Sequence, residues 1–100
     1  MRPNPDILAT IEFLPTEHGG RQTPVFGKQY RSPMLIRGEY FDCSLDIENM
    51  GTISLGERKD NVPVTFLRGD NLAGRIRVGD VFALKELGFV AIGYVTQVFI

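Results

Sequence analysis

At 100 residues, with 43% hydrophobic and 23% charged side chains, the chain has material for one modest core and no second lobe to close over a substrate. A formal net charge of -1 and a pI near 5.7 exclude any global attraction to nucleic acid or an anionic membrane surface. One cysteine, Cys43, excludes an internal disulfide and makes a reducing compartment the default, so a cytoplasmic location is expected.

The opening "MRPNPDILATIEFLP" lacks the long apolar region of a signal peptide, and no stretch approaches the ~20 apolar residues that span a bilayer. Residues 1–6, crowded with proline, read as a flexible lead into a single domain. From there the apolar period is two nearly throughout, the mark of half-buried strands. Ile7, Ala9, Ile11 and Phe13 form the inward set of a first strand, with Thr10 and Glu12 facing out. The polar run "EHGGRQTPVFGKQYRSP", residues 17–33, reads as a strand end, a long loop and the start of the next strand. Gly19 and Gly20 there allow positive φ.

"FDCSLDIE" is the cleanest alternation, with Phe41, Cys43, Leu45 and Ile47 on one face and Asp42, Ser44, Asp46 and Glu48 on the other. "VPVTFL" repeats it through Val62, Val64 and Phe66. Pro63 lacks an amide donor, which places this strand at an edge or where a ladder is interrupted. "DVFALKE" and "FVAIGYVTQVF" close the chain around Leu87-Gly88 as a hairpin. No window carries a helical stripe with caps. About six strands in so short a chain predict a closed or nearly closed antiparallel barrel, because closure removes exposed edges.

Candidate chemistry is sparse. A phosphate loop needs four residues between its first glycine and its Gly-Lys pair, then Ser or Thr, then a helix. Here Arg21 to Phe26 separate Gly20 from Gly27, Gln29 follows Lys28, and no helix follows, so nucleotide binding is not expected. His18 lacks a specified nucleophile or metal partner and reads as a solvated loop residue. Cys43 sits on an apolar strand face and reads as a buried structural thiol. Asp42, Asp46 and Glu48 project about 7 Å apart from one strand, which favours an exposed polar face over a cation site. "RGD" at Arg68 to Asp70 reads as a turn. Arg21, Lys28, Arg31 and Arg37 fall close together in sequence with Phe26 and Tyr30 interleaved, a spacing suited to phosphate contacts with base packing. Glu17, Glu39 and Asp42 dilute that set, and a solvated surface is at least as good a reading.

The run "GGRQTPVFGKQYRSPMLIR" resembles the start of the third domain of bacterial elongation factor Tu, through Gly19, Gly20, Arg21, Thr23, Pro24, Phe26, Tyr30, Arg31 and Arg37. "DNVPVTFL" is similar to the family's Gly-Asp-Asn strand without its glycine, and "FALKELGFVAIGYVTQV" to its closing hairpin. The similarity runs in order from about Ile7 to Val98. It implies a six-stranded antiparallel barrel that in the family touches aminoacyl-tRNA and the nucleotide-exchange factor. It implies no GTP hydrolysis, because the other two domains of the family are not in this sequence.

Of the family's RNA-contacting positions, Arg21 and Glu86 are retained. Gln22 stands at a histidine position, Pro33 near a glutamine, Asp42 near a threonine, and Leu87 at a glycine. The resemblance therefore implies a non-catalytic, translation-linked protein-interaction module without cofactor, metal or nucleotide. Its surface includes Arg21, Gln22, Lys28, Tyr30, Arg31, Arg37, Glu86 and Leu87, with Gly19, Gly20, Thr23 and Pro24 as a structural loop. The partner implied is a translation factor, or a toxin that targets the factor, for which the chain would act as decoy or immunity protein. The alternative is an RNA-binding accessory domain, and a third reading is a remnant or auxiliary domain whose only activity is self-association. Asp42 and Leu87 imply that aminoacyl-tRNA is bound only loosely, by repulsion and by blocking a close backbone approach.

Overall fold

Six strands follow one another among the described residues: β1 Ile7–Phe13, β2 Gln29–Ile36, β3 Glu39–Asp46, β4 Arg58–Phe66, β5 Val81–Lys85 and β6 Phe89–Val98. A computed structural model describes residues 5–67 and 72–100. The strands close into an antiparallel barrel in the order β1-β4-β3-β2-β5-β6, with β6 pairing back onto β1. The all-β barrel read from the period-two pattern is the architecture found. Among the described residues the only helical turns are two short 3-10 segments, Thr16–His18 and Glu48–Met50. No helix among them is long and apolar enough to cross a membrane.

The inward phase of each strand fills the barrel as the pattern dictates. Ile7, Ala9, Ile11 and Phe13 are buried, as are Phe41, Cys43, Leu45, Ile47, Val62, Val64 and Phe66. The rings of Phe41 and Phe66 meet edge to face, 6.1 Å between centroids. Outside the strands, Val25 and Ile53 exchange two backbone hydrogen bonds of 3.0 and 2.7 Å and add their buried side chains to the core. Leu72 and Ile76 add to the core from the segment between β4 and β5.

Several expectations change in detail. Asp6 is not part of a loose lead: it is buried, its carboxylate accepts the Phe66 N–H at 2.7 Å, and its backbone bonds Val64 and Phe99. Residues 1–4 of that lead, and Arg68 to Asp70 of the "RGD" turn, lie outside the described residues. The polar run does not begin at a strand end, since β1 stops at Phe13 and residues 14–28 form one long loop. Of the two readings for Pro63, an edge strand or an interrupted ladder, the second is the one found, since β4 has neighbours on both sides. Its pairing with β3 stops at Leu45↔Val64, one residue short of Pro63, so the missing proline N–H costs no ladder bond there. Thr10 faces outward but is buried, and its hydroxyl donates to Asp60 at 2.9 Å. Between those two strands the register slips after Ala9, and Asn61 takes a left-handed φ of 56° to absorb the extra residue.

Cys43 is buried, and its thiol donates to the Ser32 carbonyl at 3.3 Å. Burial first, and the neighbouring Asp42 charge second, push its pKa up to about 12. Native protein at pH 8 is therefore expected to resist a thiol reagent, with labelling no faster than global unfolding. The unfolded thiol ionises near 9.0 while the native thiol keeps its proton. Stability carried by Cys43 is thus complete below pH 9 and declines as the pH rises towards 12, by up to about 2 kcal/mol at pH 10.5. Urea midpoints of wild type and Cys43→Ala across pH 8–11 check the sign.

Candidate functional site

The loop after β1 is built by short-range bonds. Gly19 closes the 3-10 turn with φ 87°, and the Thr16 hydroxyl donates to the Arg21 carbonyl at 2.7 Å. Gly20 has an ordinary φ, and its role is space: a Cβ there would lie 2.0 Å from the Leu14 carbonyl oxygen. This loop delivers Arg21 to the tip of the β5–β6 hairpin. Its guanidinium pairs with Glu86, donates to the Thr23 carbonyl at 3.1 Å, and lies over the Tyr30 ring at 5.5 Å. The Tyr30 hydroxyl donates to the same Glu86 carboxylate at 2.5 Å, and the Tyr30 ring packs edge to face on Phe13. Burial, then the Glu86 carboxylate, raise the tyrosine pKa against the opposing pull of Arg21.

Arg21, Tyr30 and Glu86 are thus a closed structural knot joining three distant segments. Replacing Arg21 by Lys keeps the charge but loses the planar fork. The ion pair is partly exposed, so solvent screening limits its contribution. A loss of about 1 kcal/mol is expected, read as a fall of roughly 4–8 °C in Tm without any ligand. Arg21→Lys combined with Glu86→Gln should cost less than the two singles summed, because both act on one contact. Strict additivity would show that Arg21 does not work through Glu86.

The four basic residues grouped by sequence do not form one patch. Arg37 lies in the two-residue turn between β2 and β3, with φ 47°, about 20 Å along the strand line from Arg31. It pairs with Asp80 at 2.5 Å and donates to the Arg75 carbonyl. Arg21 is neutralised by Glu86. Only Lys28 and Arg31 of the set lack a carboxylate within salt-bridge range among the described residues, and Arg31 projects beside Asp42. Gln22, Thr23 and Pro24 are exposed on the loop. Leu87 is fully exposed at the hairpin tip, next to Glu86. Asp42, Asp46 and Glu48 do face out, and no group of three or more His, Cys, Asp or Glu among the described residues could hold a metal ion.

A second surface is more distinctive. One row of mutually paired residues runs across the outside of the barrel: Tyr40 opposite Leu35, Leu35 opposite Ala83, Ala83 opposite Ile92, Ile92 opposite Glu12, and Glu12 opposite Arg58. Four successive members, on β3, β2, β5 and β6, are apolar. Val81 and Tyr94 flank the row on one side, Pro33, Lys85 and Phe89 on the other. Exposure remains high: Val81 73%, Tyr40 49%, Ile92 49%, Phe89 42% and Tyr94 38%. Val81, Ile92 and Tyr94, with Thr10, Glu12, Gly93 and Arg58, shape a shallow groove of about 170 Å³. Arg58 donates to the Tyr94 hydroxyl at 2.8 Å and lies over its ring, forming one wall.

None of these outward apolar residues stands among the site residues expected from sequence. The signal was present in "VFALK" and "FVAIGYV", where both phases are apolar, unlike "FDCSLDIE", whose outward phase is polar. Strands apolar on both faces are those that something covers on both faces. In comparisons with known proteins, no protein-family model matches the chain and no curated protein matches it significantly.

Proposed function

We propose that the chain is a non-catalytic protein-interaction module of the elongation factor Tu third-domain type, cytoplasmic and linked to translation. The observation that carries the reading is the exposed apolar face formed by Tyr40, Leu35, Ala83, Val81, Ile92, Tyr94 and Phe89. Its five most exposed members present on the order of 500 Å² to solvent. A patch of that size is as large as the largest on a typical monomer, and such patches mark contact surfaces. The basic residues favour protein over RNA, because Arg21 and Arg37 already hold carboxylates.

Affinity capture from lysate, with and without nuclease, tests this with two variants. Protein partners that survive nuclease and are lost with Ile92→Asp support the reading. Capture that vanishes with nuclease, or with Lys28→Glu/Arg31→Glu while Ile92→Asp retains it, assigns the chain to RNA instead, with a salt dependence to match.

A further inference from the structure

We infer that the occupant of this apolar face is a second copy of the chain, packed about a two-fold axis beside Ile92. The inference rests on the interaction-module reading and specifies its partner. Two half-buried charges flank the face without an opposite charge of their own. The carboxylate of Glu12, outward on β1, has neither a hydrogen bond nor an ion pair among the described residues. Its cross-strand neighbour Arg58 turns instead to Asp60 at 3.4 Å and to Tyr94. The Lys85 ammonium, outward on β5, has no ion pair among the described residues and meets the rings of Tyr40 and Phe89, each 5.7 Å away.

Strand β6 runs between them, so Ile92 separates an unmatched anion from an unmatched cation. Strand spacing and rise put the two roughly 12 Å apart, two strands across and two residues along. A two-fold axis through the midpoint sets Lys85 of each copy against Glu12 of the other. It also packs Ile92 on its symmetry mate. An isologous contact must be self-complementary in this way, carrying both members of each pair on one surface. Of the other charges near the face, Arg58 is held by Asp60 and Tyr94 and Glu86 by Arg21 and Tyr30, while Asp42, opposite Pro33 at its margin, has no ion pair among the described residues. The exposed area of these residues, on the order of 500 Å², supplies more than half of the ~800 Å² per partner of a standard interface, and the part-exposed Leu35, Ala83 and Pro33 add to it. Covering the face removes from water the parts of Val81, Ile92 and Tyr94 that the described residues leave exposed.

Sedimentation equilibrium of the full chain between about 1 and 300 µM tests the inference. Wild type is expected to reach twice the chain mass of 11.2 kDa. Ile92→Asp is expected to be monomeric with an unchanged far-ultraviolet circular dichroism spectrum. Lys85→Glu and Glu12→Lys each bring like charges together across the axis and should raise the dimer Kd by about tenfold or more. Combining them restores opposite charges, and the Kd should return to within about threefold of wild type. The rescue identifies the two-fold pairing even if one single variant is destabilised. A monomer throughout the range, a dimer that survives Ile92→Asp, or a double variant as weak as the singles summed overturns the proposal. A monomer that still captures a different protein through Ile92 leaves the interaction-module reading standing. A monomer that captures nothing removes both.

Discussion

Replacing Gly20 by Ala is expected to cost at least about 3 kcal/mol, lowering Tm on the order of 15 °C. The new Cβ would sit 2.0 Å from the Leu14 carbonyl oxygen, 2.7 Å from its carbon and 2.9 Å from the Pro15 carbonyl oxygen. All three are backbone atoms, so no side chain can rotate to make room. The turn would have to open, breaking the bond from the Gly20 N–H to the Pro15 carbonyl and withdrawing Arg21 from Glu86. Gly19→Ala is the control. Its Cβ meets nothing within 4 Å, and its cost is confined to a left-handed φ of 87°, about 1 kcal/mol. Thermal and urea unfolding of both variants decide the point, and equal losses would contradict the steric account.

The second large effect is expected at Gly93→Ala, with a loss of about 2–3 kcal/mol. Gly93 lies on the inward phase of β6, where Phe82 from β5 fills the space a side chain would take. The added Cβ would stand 2.7 Å from Phe82 Cζ and 2.4 Å from the Thr10 carbonyl oxygen. The ring can shift, but the carbonyl belongs to the β1–β6 ladder and cannot shift without parting the strands. Gly93→Ala with Phe82→Leu should therefore lose less than the two singles summed, yet remain less stable than Phe82→Leu alone. Full recovery to the Phe82→Leu level would show that the ring, not the ladder, sets the cost. A parted ladder would also deform the groove beside Ile92 and Tyr94, so the variant should weaken any contact made by that face.

The barrel was legible because its inward phase is written locally. "FDCSLDIE" states which side of β3 is wet, and the same alternation places Val62, Val64 and Phe66. What closes the barrel was not local. Arg21 meets Glu86 across 65 positions, a pairing that spacing alone does not reveal. Arg37 looked like a neighbour of Arg31 because the chain is continuous, yet an extended strand carries consecutive outward residues steadily apart. Gly19 and Gly20 are adjacent and serve different ends, one dihedral and one steric, a difference that appears only once Leu14 is placed against the turn. The apolar face was overlooked for a related reason. Ile92 and Tyr94 interrupt an alternation whose inward half is satisfied regardless, so a search for core residues passes over them.

The closing ladder also determines how the protein meets a mechanical load. Strands β1 and β6 are adjacent and antiparallel, and Ile7 pairs with Val98 at the same end of the barrel. Just beyond them, the Phe99 N–H donates to the Asp6 carbonyl at 2.9 Å. A pull applied through Asp6 and Phe99 therefore acts across the strands, not along them. Each hydrogen bond is loaded in turn, beginning with that outermost one, and none shares its burden with the next. A barrel whose first and last strands ran parallel would resist the same pull with the whole ladder at once. This one would peel open like a zip at low force, although its core is sealed on every side.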